Sequence, residues 1–207
     1  MDEIEKLFEA SRGDRLHPII DSAMTAEEAL RLNPEKPAPP EILERQRVII
    51  VKYYSFDNKV HQGQVVIDQD LVAEVEKLFE IILEERFPVT SVIPVSHPDI
   101  AWNDDISMKQ DNSSGFNYRT IANKEQLSQH AYGRAIDLNP RLNPYFASGE
   151  VYPKGATYDT SVAGTLHSKH AIVKFMKACG WEWGGDWKET PDYQHFQKKL
   201  PNNQKTA

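Results

Sequence analysis

Asp137 stands between Ile136 and Leu138, in a stretch apolar enough to be buried, where an unpaired carboxylate is costly. Two histidines bear on it. His130 precedes it by seven positions in Ser128-Gln129-His130-Ala131-Tyr132-Gly133-Arg134-Ala135-Ile136-Asp137. Gly133 and Ala135 are small, so the backbone between the two can fold back on itself. His195 follows near the C-terminus in Asp192-Tyr193-Gln194-His195-Phe196, where its aromatic neighbours suggest a buried surface. Ligation of one metal ion satisfies all three polar groups at once. Two imidazoles and one carboxylate are a typical catalytic zinc set, because three protein ligands leave a fourth position open. The competing possibility is a set of ordinary core or surface residues with no metal between them.

The bulk properties narrow the class. A chain of 207 residues suits one main domain with an extension and can bury a sizeable core. The net charge of −7 argues against a nucleic-acid partner, since phosphate binding needs a basic face. No apolar run is long enough for a transmembrane helix, and the acidic N-terminus lacks a signal-peptide stretch. Cys179 is the single cysteine, which excludes an internal disulfide and a cysteine-rich zinc site.

Periodicity predicts a short helix over residues 2–11, then a helix opened by Thr25 as N-cap with Glu28 closing a capping box. The proline-dense stretch 34–40 reads as a linker, which divides the chain into an N-terminal helical extension (1–40) and a catalytic domain (41–207). Residues 48–54 and 61–67 predict a hairpin, and 68–86 a helix with one wide apolar face. A strand is expected at 89–95, a long polar loop at 103–117, a strand at 133–138, irregular chain at 142–160, a helix at 163–179 ended by Gly180, and a last strand from His195. That order predicts an α+β fold with an antiparallel sheet.

Asp192 precedes His195 by three positions, and residues three apart on a strand face opposite ways. It must therefore sit on the turn entering the strand, where Pro191 supports a turn. From there it reads as a general base for a zinc-bound water, or else as a turn aspartate bonded to nearby amides, with Asp186 and Glu189 as rival bases. Arg119 suits an oxyanion or a substrate carboxylate, and otherwise a structural ion pair. Asp186 is expected to orient a ligand histidine. Ser128, Tyr132 and Trp183 are candidates for substrate contact, and Trp187 with Trp183 for lining the cleft, although Ser128 also suits a local cap and a buried tryptophan is more often core. His167 and His170 are expected at the surface, His61 in the hairpin, and His17 and His97 without partners.

The motif Ser128-x-His130-x-x-Gly133-x-Ala135-x-Asp137 with Asp192-x-x-His195 resembles the zinc D,D-peptidases. That family includes D-alanyl-D-alanine carboxypeptidases, vancomycin-resistance enzymes and phage L-alanyl-D-glutamate endolysins. Tyr53-Tyr54-Ser55-Phe56-Asp57, His61-Gln62-Gly63, Phe87-Pro88, the run from Asn112 to Arg119 and Trp183-Gly184-Gly185-Asp186-Trp187 extend the likeness from about residue 53 to 197. The resemblance implies one zinc ion per chain on His130, Asp137 and His195, with Asp192 as catalytic base. It implies a hedgehog/D,D-peptidase-like fold, a small antiparallel sheet with packed helices. It also implies a metallopeptidase acting on peptidoglycan or muropeptides at the cell wall, of carboxypeptidase or L-alanyl-D-glutamate endopeptidase type. Aspartate in place of glutamate at Asp192 looks like the endolysin branch. The alternative from another class is a zinc-stabilised wall-binding or signalling module, against which Asp192 and Arg119 together argue. A wall enzyme without a signal segment implies phage-type release or a trimmed secreted form.

Overall fold

The computed structural model describes residues 13–122 and 124–200. The helix expected over residues 2–11 lies outside them. Strand β1 (Ile19–Ile20) comes first, then a single helical turn, α1 (Ala26–Ala29), whose Thr25–Glu28 capping box forms as expected. A second short helix, α2 (Pro40–Leu43), starts with Pro40 at its first position, where proline lacks nothing the helix needs. Strands β2 (Gln46–Tyr54) and β3 (Val60–Asp68) then pair antiparallel along their whole length, with Ile49 opposite Val65. Strand β1 adds to the free side of β3 in parallel.

Helix α3 (Val72–Glu84) lies on β2 and buries Val75, Leu78, Phe79 and Ile82, the stripe that its 3–4 spacing dictates. The other face of the sheet is covered by the extension. Ala29 and Ala38 pack with Val66 and Phe116, and the Gln64 carboxamide bonds Ser22 and Met24. The proline-dense stretch therefore runs over the same sheet it precedes.

The rest of the chain departs from expectation in four places. Residues 89–95 form no strand beyond one isolated bridge between Ser91 and Asn112. Pro88 and Pro94 withhold donors, and the Asn112 carboxamide replaces a strand partner by bonding both the N–H and the carbonyl of Ile93. The loop at 103–117 contains a helix, α4 (Asp104–Lys109), because the Asn103 side chain accepts the Ile106 N–H and two aspartates fill the first turn.

After strand β4 (Ala135–Asp137), the chain at 142–160 is not wholly irregular. It holds a hairpin, β5 (Tyr145–Ala147) with β6 (Glu150–Tyr152), closed by Ser148 and Gly149 at φ of 52° and 80°. Two residues at positive φ match the twist of a two-residue hairpin. Helix α5 (Ala171–Ala178) begins later than expected, because His170 caps it by accepting the Ile172 N–H on Nδ1. Strands β7 (Glu182–Trp183) and β8 (His195–Gln197) complete a second sheet in the order β4-β8-β7. The fold is α+β, with small and mostly antiparallel sheets.

Candidate metal centre

Strand pairing explains how ligands 58 positions apart meet. Asp137 in β4 lies directly opposite His195 in β8. The next pair outward is hydrogen-bonded, with Leu138 N–H donating to Gln194 O at 3.1 Å. Asp137 and His195 thus form the non-hydrogen-bonded pair, in which cross-strand side chains stand closest. His130 reaches them from a 3-10 turn, Gln129–Tyr132, capped by the Ser128 hydroxyl, which accepts the His130 N–H. Gly133 ends that turn at a φ of 66°, and its backbone passes so close to the Gln46 side chain that a Cβ would stand 2.0 Å from Oε1. Glycine is required there by both conformation and space.

The three side chains offer ligand atoms that all lie within 4.8 Å of one another. His130 Nε2 is 3.2 Å from His195 Nδ1 and 3.2 Å from Asp137 Oδ2, and His195 Nδ1 is 2.9 Å from Asp137 Oδ1. Ligands about 2.0–2.1 Å from a tetrahedral zinc are separated by about 3.3 Å, so the triangle is close to one face of that tetrahedron. The imidazoles are also set in the right tautomers. His130 Nδ1 donates to Gly115 O at 2.6 Å, which leaves the Nε2 lone pair facing the triangle. His195 Nε2 donates to Gln197 Oε1 at 3.2 Å, and Gln197 is held in turn by Glu182 at 2.8 Å, which leaves Nδ1 facing inward. The residues present fit a zinc ion.

The electrostatics follow from packing these groups together. Burial pulls His195 toward the neutral form, but the hydrogen bond and charge of Asp137, aided by Asp192, outweigh it and raise the imidazolium to about 9. Burial pushes Asp137 up as well, and the flanking His130 and His195 more than reverse this, so it stays ionised far below the usual carboxylate range. Asp192 goes the other way. Burial dominates, Asp137 adds repulsion, and the His195 and Arg119 charges offset only part, which leaves it at about 7.

Asp192 occupies the turn before β8 that Pro191 suggests: the His195 N–H donates to Asp192 O, and the Asp192 N–H donates to Gly184 O at 3.0 Å. Its Oδ1 is buried and has no hydrogen-bond partner. Arg119 is close enough to act on the Asp192 charge. Its Nε lies 3.1 Å from Asp104 Oδ1 in α4, off the line of a good hydrogen bond. Asp104 also accepts from Asn117, whose own N–H donates to His130 O.

The remaining candidates divide. Ser128 is buried as the cap under His130, and the Tyr132 carbonyl accepts from Gln46 while its side chain is half-buried. Trp183 is 3% exposed in the main core, with its indole N–H on Tyr193 O. The tryptophan that borders the metal site is Trp187, its ring 5.6 Å from that of His195. Asp186 does not orient a histidine; it pairs with Lys177 at 2.6 Å on the surface. His61 lies in the hairpin between Asp21 and Asp57. His17 and His97 do have neighbours, Asp14 and Asp99. His170 is not a plain surface residue, since it caps α5 and packs edge-on against Phe87. Gly115 O, Gln197, Asp104 and Gln194 escaped the sequence reading, because a backbone carbonyl and partners set by register leave no motif.

Comparison with known proteins singles out the same part of the chain. Residues 122–198 match the family model described as D-alanyl-D-alanine carboxypeptidase, and that segment contains His130, Asp137, Asp192 and His195. The peptidoglycan L-alanyl-D-glutamate endopeptidase CwlK of Bacillus subtilis (strain 168) is 33% identical over 78 residues, which are 36% of this chain and 41% of that protein. The chain thus spans about two fifths of the length of this curated relative. No solved structure matches. The chain is thus similar to this family over residues 122–198, the segment that carries the three converging side chains.

Proposed function

We propose that the protein is a zinc-dependent peptidase that cuts peptidoglycan stem peptides. The observation that carries this reading is a buried carboxylate oxygen without a partner, Asp192 Oδ1, beside a complete three-ligand set. A metal that only braces the fold has no use for such a group, which costs about 1–3 kcal/mol when left unsatisfied. A catalytic centre does, because the proton of an attacking water would satisfy it. The family match supports the reaction class, and the relative's activity on peptidoglycan supports the substrate.

Bound on His130, Asp137 and His195, zinc would supply a Lewis acid and an open position at which a water has a pKa near about 7. Asp192 takes a proton from the attacking water and returns it to the leaving amine. Arg119 offsets the negative charge that develops on the scissile carbonyl oxygen. Gly115 O and Gln197 hold the two imidazoles in their ligating tautomers. Trp187 walls one side of the site next to His195.

We further propose an internal bond of the stem peptide, of the L-alanyl-D-glutamate type, as the one cut. Arg119 already has Asp104 as a counter-ion, which suits a neutral peptide better than a free C-terminal carboxylate. The D-alanyl-D-alanine carboxypeptidase reading is favoured instead by the description of the matching family. The arrangement of sheets and helices is proposed to be hedgehog/D,D-peptidase-like, and the site of action to be the cell wall. Digestion of purified peptidoglycan tests the proposal. The zinc-loaded protein should release fragments, a chelator should stop release, and added zinc should restore it. An endopeptidase would expose new D-glutamate N-termini, whereas a carboxypeptidase would liberate free D-alanine. No release from walls of several chemotypes would favour a zinc-stabilised binding module.

A further inference from the structure

Gln194 sits between the proposed base and a ligand histidine, and its side chain is only 3% exposed. Its backbone carbonyl accepts the Leu138 N–H, but its carboxamide is not so engaged. Oε1 has no partner, and Nε2 reaches only the weakly accepting Met108 Sδ at 4.0 Å. A primary amide carries two donors and two acceptor lone pairs, and burying them unmet costs free energy that leucine or methionine in the same volume would not. Next to it Asp192 Oδ1 is in the same condition. Two neighbouring acceptor oxygens therefore await donors. The attacking water provides one for Asp192. The other suits a ligand that brings an N–H, and a peptide presents one at every bond.

Helix α4 stands beside this carboxamide. Asp104 and Met108 are one turn apart on α4, so they share a face. One meets Arg119 and the other meets Gln194.

We propose that Gln194 is a substrate-binding residue, its Oε1 accepting the N–H of a peptide bond adjacent to the scissile one. This rests on the peptidase reading above. Such a contact is made equally in the bound substrate and in the transition state, so its loss raises KM and leaves kcat nearly unchanged.

The test uses the full chain loaded with zinc, Gln194→Met and Gln194→Leu, and defined stem peptides in which each amide flanking the cut bond is N-methylated in turn. Each variant should raise KM about tenfold, the scale of one hydrogen bond, with kcat within about twofold. Methylation at one position should cost the wild type the same factor and cost the variants nothing further. Zinc affinity, read by chelator competition, should not move. Penalties that add at every position, or a loss confined to kcat, overturn the proposal. If the wild type cuts none of the peptides, the peptidase reading fails, and calorimetric binding of the uncut peptides decides Gln194 separately. A Kd that the variants raise tenfold supports the contact, and an unchanged Kd overturns it.

Discussion

Gly184→Ala is expected to disable the proposed base without touching a metal ligand. Gly184 packs against Asp192 so closely that an added Cβ would lie 2.4 Å from Asp192 O and 2.9 Å from Asp192 Cβ. Ordinary contact begins at 3.4 Å, so Asp192 must retreat by about 1.0 Å, and no flexible side chain is there to yield in its place. The ligands are better protected. His195 is held by β4 on one side, and its strand by β7 on the other. A misplacement of about 1 Å in a catalytic group costs on the order of 100-fold in rate, and that is the fall in kcat expected here. Overpacking should cost about 1–3 kcal/mol of stability, or roughly 2–4 °C of Tm for each kcal/mol in a domain of this size. The assay is single-substrate kinetics on a defined muropeptide, with zinc content and Tm measured on the same sample. The variant should be folded and carry one zinc per chain. A folded, zinc-loaded Gly184→Ala enzyme with kcat within twofold of wild type would refute the reasoning.

Three further outcomes follow from the same geometry. Asp192→Asn should keep its zinc and lose on the order of 10²–10⁴ in kcat, and a fully active variant would reject Asp192 as base. Asp104→Asn should lower kcat/KM about tenfold in the wild-type background and have no effect in an Arg119→Ala background, because it acts through Arg119; equal losses in both backgrounds would contradict this. Zinc binding at pH 7.5 should expel about one proton, since His195 is raised to about 9 in the metal-free protein yet must be neutral to ligate. Calorimetry in buffers of different ionisation enthalpy measures that number. The sign for stability is the same: a raised folded-state pKa stabilises below the unfolded value and loses that contribution as pH climbs through the folded one. The metal-free Tm should therefore decline between about pH 6.5 and 9 through His195, and between about pH 4 and 7 through Asp192, while zinc removes the His195 share.

The convergence of the three candidate ligands was legible because Asp137 carries a chemical contradiction in its own neighbourhood. Asp137 is a carboxylate among apolar residues, and Gly133 and Ala135 mark where the chain must turn back. The turn position of Asp192 followed from strand geometry and Pro191. The β2–β3 hairpin and the α3 stripe were legible for the same reason, being long periodic segments. Short elements were not. Helix α4 depends on one Asn103 cap, and the β5–β6 hairpin on a Ser148-Gly149 turn whose positive φ values no periodicity announces. Trp183 and Trp187 illustrate the limit most plainly. They are four positions apart in one motif, yet one is core and the other borders His195, and the difference lies in how Gly184–Asp186 turns between them. Gln197 supports His195 only because both stand on the same short strand.

The most direct test of the central claim is mass spectrometry of muropeptides digested by the zinc-loaded protein, beside chelated protein and Asp192→Asn. The account predicts products from cleavage of one amide bond in the stem peptide, formed only by the zinc-loaded wild type. Unchanged muropeptides from wild-type protein that binds one zinc per chain, or equal cleavage after the metal is removed, would contradict it.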